Sequence, residues 1–459
     1  MILKTSSEGK RKTKKGEAMF SKLIKFFLIF NLFIWARAKA DQKIIKLDLN
    51  QSVETAFKNN KTLLTLEEKI RASEYQVKQA RSGFYPQVSA KATYTRLGTT
   101  PGSEIPPMDF GPIHVPAQKL EFGSVNNYDI NLSLTQPIFT WWKITNAYKI
   151  SWDNLSLTKE EYRKTKQEIK LSLISSFYQI LLAKELIKVR GEAQARIEDH
   201  LKTVQIRFEK GQASQFDVLR AKVQLTNSKP LLIQAKDLYA LSLNAFKNIL
   251  GISLSDSLEL VGELKFESIE VNLEQAEKEA FLNRPELKLL VIQKGMAQKG
   301  LALAQAGNKP TLVGLANWDY KNPFNGRERW DSDWNVTLAL SFPFFDGFNT
   351  KWKTREAQSN LNQLDIVKKQ LEDGIKLELQ QVNTDLNLAT ENILSQKENV
   401  GQAKEGLRIA QVQYREGLIT SLEVMDTELA LTVAQTNYLQ ALSDYLIAQA
   451  RYDKAVGRE

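Results

Sequence analysis

Tyr128-Asp129-Ile130-Asn131-Leu132-Ser133-Leu134-Thr135 alternates a large apolar side chain with a polar one at every step. Period two is the pattern of a β-strand with one apolar and one polar face. Trp334-Asn335-Val336-Thr337-Leu338-Ala339-Leu340-Ser341-Phe342 repeats it with small residues on the second face. Val88 to Tyr94 alternates with weaker apolar residues, and Leu312 to Tyr320 is the least regular of the four stretches. A tilted strand of about ten residues is what crossing a bilayer takes. Aromatic residues gather at both ends. Tyr94, Tyr128, Trp318, Tyr320 and Trp334 flank the loops, while Phe84, Tyr85, Phe139, Trp141, Trp142, Phe345 and Phe348 mark the opposite ends. Two such belts suit a barrel that meets two membrane–water interfaces. On the strands alone, a soluble sheet with its alternation directed at a core reads the same way. Four strands cannot close around a pore, and a membrane strand cannot leave its edge unpaired in lipid. The membrane reading therefore requires several chains to pool strands into one barrel.

The strands fall two to a repeat. Residues 47–63 read LDLNQSVETAFKNNKTL and residues 271–287 read VNLEQAEKEAFLNRPEL, so that at an offset of 224 Leu49 matches Leu273, Ala56 matches Ala280, Phe57 matches Phe281 and Asn59 matches Asn283. The offset carries on to Ala80/Ala304, Gly83/Gly307 and Pro86/Pro310. From Leu132–Phe139 against Leu338–Phe345 it becomes 206, and still holds at Phe208/Tyr414 and Gly211/Gly417. The change of 18 is an insertion in the first copy within residues 97–127, a stretch with five prolines that reads as a loop. A first repeat thus covers 41–270, with strands at about 86–96 and 127–137 and helices at about 143–210 and 214–250. A second covers 271–459, with strands at about 310–320 and 333–343 and helices at about 349–416 and 420–456.

Those helices are too long for a compact domain. From Asn349 to Gly417 nothing breaks the pattern, and Leu371, Ile375, Leu379, Val382, Leu386, Ala389, Ile393, Gln396, Val400, Ala403, Leu407, Ala410 and Tyr414 fall at spacings of 3 and 4. That is a coiled-coil seam. Lys143 to Lys210 does the same, ending in Ile197, Leu201, Val204 and Phe208. At 1.5 Å per residue each helix spans on the order of 100 Å, the length of a tube or bundle wall. In the last helix Ala434, Ala441, Ala448 and Ala455 recur every seven residues, as do Leu431, Tyr438, Tyr445 and Tyr452. An alanine stripe permits close helix approach while the larger stripe fills the neighbouring gaps. Pro230 is expected to kink or break the helix that contains it. Each long helix stops at a glycine and restarts on a hydroxyl with an acid three positions on: Gly211-Gln212-Ala213-Ser214 to Asp217, and Gly417-Leu418-Ile419-Thr420 to Glu423. That is capping-box chemistry, which a sharp reversal between antiparallel helices needs. Capping alone accounts for Ser214, Asp217, Thr420 and Glu423.

The formal charge of +10 does not point to nucleic acid, because residues 1–40 carry +8 of it and leave the body near neutral. That segment reads as a secretory signal, with a basic lead, an apolar run from Leu23 to Trp35 and an Ala38-Lys39-Ala40 cleavage site ahead of Asp41. Met19 starts a signal of more usual length, which makes residues 1–18 a candidate over-long start. Cysteine is absent, so there is no disulfide, thiolate metal site or lipid-bearing cysteine. His114 and His200 lack ligand partners at metal spacing, and no phosphate-cradling glycine motif occurs. No cofactor and no catalytic constellation is expected, and any energy source lies in a partner.

Signal, tandem repeat, two strands per repeat and paired long helices together resemble the TolC family of outer-membrane efflux proteins, over essentially all of residues 41–459. The resemblance implies a mainly α fold with a membrane β-barrel segment: a homotrimer pools four strands per chain into a twelve-stranded barrel, and long antiparallel coiled-coil helices form a periplasmic tunnel. It implies a passive exit duct in the cell outer membrane for tripartite efflux or type I secretion, narrowing at the hairpin tips. Matching the family pattern places Glu423 and Asp426 at the constriction, their i, i+3 spacing putting both on one helix face; a merely solvated helix face has the same spacing. Tyr414 and Asp217 match positions that hold the closed state, and Ile419 stands where the family uses a basic residue for the clasp. The tips, Gly211, Gln212, Ala213 and Ser214 with Gly417, Leu418, Ile419 and Thr420, are expected to meet a periplasmic adaptor (membrane fusion) protein, and through it an inner-membrane pump of RND or ABC type. Tyr94, Tyr128, Trp141, Trp142, Trp318 and Trp334 are the expected contacts with outer-membrane lipid. The alternative is a periplasmic coiled-coil adaptor or structural protein without a pore; adaptors usually carry one hairpin and not a tandem repeat with amphipathic strands.

Overall fold

In a computed structural model the described residues are 44–458. The signal read at residues 1–40 and the start at Asp41 lie outside them. Strand β1 (Ile45–Leu47) leads into helices α1 (Leu49–Asn59) and α2 (Lys61–Arg81), followed by β2 (Gln87–Arg96), β3 (Gly102–Ile105), β4 (Met108–Phe110), β5 (Ile113–Val115), β6 (Gln118–Glu121) and β7 (Asn126–Phe139). Helices α3 (Lys143–Glu209) and α4 (Gln215–Leu250) come next, then β8 (Leu258–Leu260), α5 (Leu273–Asn283), α6 (Pro285–Gln305), β9 (Thr311–Asn322), β10 (Asp331–Ser341), α7 (Asn349–Glu416) and α8 (Ser421–Ala455).

Two local expectations need correcting. Residues 97–127 are not an unstructured loop: β3 pairs antiparallel with β6, and β4 with β5. The five prolines all lie outside those short ladders, where no amide donor is required. Of the kink or break expected at Pro230, the break does not occur, since α4 runs through it from Gln215 to Leu250. Thr226, whose carbonyl loses its partner to the proline ring, is exposed, so water can serve that carbonyl.

Two compact units form, and each takes segments from both sequence repeats. One gathers the described part of Met1–Asn60 with Ser172–Glu267 and Glu391–Ile447. Its main core is Ala56, Leu173, Phe177, Ile180, Leu181, Phe246, Leu250, Leu258 and Leu260, under the parallel pair β1–β8. Helix α4 ends at Gly251 with φ +72°, and a Cβ there would lie 2.1 Å from the Asn59 carbonyl oxygen, so only glycine fits.

The other unit gathers Lys61–Leu171, Ser268–Thr390 and Ala448–Glu459. Its core is Ala276, Ala280, Leu287, Ile375, Leu379, Val382, Tyr452, Ala455 and Val456. Gly457, with φ +79°, meets Asn283 as Gly251 meets Asn59. This unit also holds a four-stranded antiparallel sheet in the order β10-β9-β7-β2. The β9–β10 turn places Asn325 and Gly326 at positive φ between Phe324 and Arg327, which exchange two backbone hydrogen bonds.

Candidate functional site

Residues directly opposed in an antiparallel ladder share a face, so the register fixes what each side of the sheet presents. One face carries Tyr94 opposite Tyr128, Ala90 opposite Leu132 and Val88 opposite Leu134. It continues through Leu132 opposite Trp318 and Ile130 opposite Tyr320 to Trp334 opposite Trp318 and Val336 opposite Ala316. The other face is polar. There Asn131 donates to Asp319 at 2.8 Å, the hydroxyls of Ser89 and Ser133 meet at 2.7 Å, and Asn317 donates to Asn335 at 3.2 Å. The apolar face is not a core: Trp334, Val336, Leu338 and Leu340 are each about 70% exposed. Strands β2 and β10 stand at the edges, each with one side unpaired among the described residues.

At one end of the apolar face the rings are continuous. Tyr94 and Tyr128 lie 5.1 Å apart, Tyr128 and Trp330 5.7 Å, Tyr320 and Trp330 4.9 Å, and Trp318 and Tyr320 6.0 Å. At the other end Trp141 and Trp142 pack edge-on against Phe139. Both tryptophans hold positive φ, 51° and 64°, a strained backbone for bulky side chains. Trp330 was not among the sequence candidates, because it lies in a turn and not on the alternating pattern.

The hairpin tips belong to the other unit. Gly211 and Gly417 both take positive φ and close their helices with bonds to Phe208 and Tyr414 carbonyls. Ser214 then caps α4: its hydroxyl accepts from the Asp217 amide at 3.1 Å while the Asp217 carboxylate accepts from the Ser214 amide at 3.0 Å. Thr420 and Glu423 repeat the exchange at α8, with the Thr420 amide 2.6 Å from the Glu423 carboxylate. Those bonds hold the Glu423 carboxyl below its ordinary range. Asp426, one turn on, is exposed. Gln212 and Leu418 are exposed at the turns, whereas Ala213 and Ile419 fold partly under them.

Tyr414 is buried in a small core with Val204, Val218, Leu407, Ala410, Val424 and Leu431 that joins the two hairpins. Burial pushes its phenol up. The Arg207 guanidinium from α3 lies 4.9 Å from its ring and donates to the Tyr414 and Arg415 carbonyls, capping the end of α7. So a basic group does reach Tyr414, but from α3 and not from position 419.

Behind the tips lies a polar cluster that sequence reading missed. His200 shares a 2.9 Å hydrogen bond with Ser421, and burial lowers its pKa. A cavity of about 320 Å³ is lined by Arg196, Asp199, His200, Tyr414, Arg415 and Glu428, among others. Glu428 is 4% exposed, neither carboxyl oxygen has a hydrogen-bond partner, and desolvation pushes its pKa up to about 7. The available signal was spacing: Val424, Glu428, Leu431 and Gln435 are separated by 4, 3 and 4, which puts a carboxyl on an otherwise apolar seam.

The family model described as "Outer membrane efflux protein" matches residues 53–252 and 277–458. The alkaline protease secretion protein AprF of Pseudomonas aeruginosa is 23% identical over 337 residues, covering 71% of this chain and 69% of that protein. Outer membrane protein TolC of Vibrio cholerae is 22% identical over 309 residues, 65% of this chain and 69% of its own. Among solved structures, the open state of the MtrE outer membrane channel of Neisseria gonorrhoeae superimposes with a TM-score of 0.74 at 14% identity, covering 89% of each chain.

Proposed function

The chain belongs to the outer membrane efflux protein family, and on that premise we propose that three copies build one exit duct across the outer membrane. The observation that carries this reading is the β10-β9-β7-β2 sheet, apolar and exposed on one face, polar on the other, with both edges unpaired among the described residues. An exposed apolar face of this kind suits lipid, and lipid forbids open edges. Pairing the β2 edge of one copy with the β10 edge of the next removes them. Two copies would give eight strands, whose interior side chains fill, whereas twelve strands leave a lumen. The polar face, with Asn131, Asp319 and Asn335, then lines that lumen.

The helices continue the duct into the periplasm and close it at the hairpin tips. Tyr414, held by Arg207, keeps the two hairpins together. Asp217 and Glu423 set the turns, and Asp426 with Glu423 supplies the carboxylates that ring the opening. Exposed Gln212 and Leu418, with Gly211, Ala213, Ser214, Gly417, Ile419 and Thr420 around them, present the tips to a periplasmic adaptor and, through it, to an inner-membrane pump. The chain is a conduit and not an enzyme. Residues 1–40 serve as the export signal, and 41–270 and 271–459 are two copies of one repeat, a reading supported by the recurring contacts of Gly251 with Asn59 and Gly457 with Asn283.

Single-channel recording on the purified protein in planar bilayers tests both parts. Asp426→Ala, alone and with Glu423→Ala, is expected to reduce cation preference and raise conductance. Inserted protein that never conducts removes the duct; unchanged conductance and selectivity in the double variant remove the gate assignment.

A further inference from the structure

Glu428 sits where a coiled-coil seam normally places an aliphatic side chain, and it is almost wholly enclosed. Both of its carboxyl oxygens lack hydrogen-bond partners, and so does the buried Nε of Arg196, which lines the same cavity. Two cavities adjoin the carboxyl, one of about 320 Å³ toward the tip and one of about 270 Å³ between α3, α4 and α8. A buried polar group without partners costs free energy, and more when charged. We propose that Glu428 is a proton-operated latch in the joint between the two hairpins: the neutral carboxyl lets α8 pack on α3, and the carboxylate draws water into the flanking cavities and loosens that packing.

The groups facing it are consistent with this role. From α3 come Arg190, Arg196, Asp199 and His200; from α7, Tyr414 and Arg415; from α4, only the uncharged Gln224, Asn227 and Ser228. Arg196 favours the carboxylate, but Asp199 and desolvation outweigh it, desolvation being the largest influence. Arg196 Nη2 donates to the Thr432 hydroxyl at 3.4 Å, and its buried Nε makes no hydrogen bond to Glu428. His200 moves the opposite way, its pKa lowered by burial, so it stays neutral above the ordinary histidine range. The sign follows from linkage. A carboxyl raised from 4.5 to about 7 on packing stabilises the joint at low pH. That stabilisation is lost as pH rises, and the loss is complete once pH has passed about 7.

The latch deepens the proposed gating and rests on the reading of these hairpins as a gate, so the test separates the two. Hydrogen exchange is followed on the full-length protein in detergent, on peptides spanning 193–207 and 421–435, with intrinsic rates divided out. Between pH 6 and 8 the opening equilibrium of the wild type is expected to rise on the order of tenfold relative to Glu428→Gln, which stays protected. Glu428→Leu is the second variant and is expected to behave like Glu428→Gln, because an apolar side chain also removes the titrating group. Wild-type protection that is flat with pH, or the same slope in both variants, overturns the latch. Conductance recorded across the same pH series reports on the gate separately: Glu428-dependent exchange with pH-independent conductance keeps the latch and removes the gate from the hairpin tips.

Discussion

Helix α4 leaves the first tip with Leu219 more than half exposed, whereas α8 leaves the second tip with the matching Met425 buried, although Val218 and Val424 are buried in both and Phe216, Val223, Leu422 and Leu429 are exposed in both. The turns are chemically alike: glycine at positive φ, then a hydroxyl and a carboxylate in a reciprocal cap. At the repeat offset of 206, exposed Lys222 in α4 stands where buried Glu428 stands in α8. Duplication therefore kept the local chemistry of reversal and changed what the returning helix packs against. The turn is set by a handful of residues and survives, while the face is set by neighbours and diverges.

The largest expected contrast is in packing. Leu431→Ala removes a buried side chain from the tip core and is expected to cost about 2–5 kcal/mol. Leu219→Ala, at an exposed position, is expected to change stability by no more than about 0.5 kcal/mol. Urea unfolding followed by far-ultraviolet circular dichroism measures both. Equal costs would mean that α4 and α8 are packed alike.

Much of this was legible from the amino-acid order. The α7 seam shows at spacings of 3 and 4, and Ile375, Leu379, Leu386, Ile393 and Leu407 are all buried. Both stripes of α8 were visible too: Ala434, Ala441, Ala448 and Ala455 are buried, as are Leu431, Tyr445 and Tyr452. Period two gave the faces of the sheet, because successive side chains of a strand point to opposite sides. Leu312–Tyr320 looked irregular because its polar-face side includes Val313 and Leu315 while its apolar-face side includes Gly314 and Ala316. The polar seam was hidden for a different reason. On a charged helix an occasional Glu, His or Arg looks like solvated surface, and only the register with a second helix shows that Glu428, His200 and Arg207 face inward. The 97–127 hairpins are hidden because five prolines suggest a loop, although proline excludes a strand only where an amide must donate.

An intermediate effect is expected at the turns themselves. Gly211→Ala and Gly417→Ala each force a side chain into the left-handed region, at about 1–2 kcal/mol. At Gly211 the new methyl meets nothing within 4 Å, whereas at Gly417 it lies 3.4 Å from Arg207 Nη2. The second substitution therefore also places a methyl in contact with the group that holds Tyr414, and only it is expected to raise exchange in residues 407–415. A matching rise in the first would show that the two turns share one support.

The smallest contrast concerns the caps and carries a sign. Ser214→Ala and Thr420→Ala each remove one hydroxyl acceptor from an orphan helix amide, at about 1 kcal/mol. Glu423 is needed charged, since its carboxylate accepts from the Thr420 amide and hydroxyl and its pKa is lowered for that reason. A lowered carboxyl contributes stability above its ordinary range and loses it as pH falls through its folded value. Glu428, raised by burial, runs the other way. The start of α8 is thus held by two carboxyls of opposite preference five residues apart, and it should be best protected between the acid range and about pH 7. Glu423→Gln retains a capping acceptor without the charge, so it is expected to flatten only the acid side of the exchange profile of residues 421–424. If that variant instead shifts the side near pH 7, the two carboxyls act as one coupled group and the separation between cap and seam is wrong.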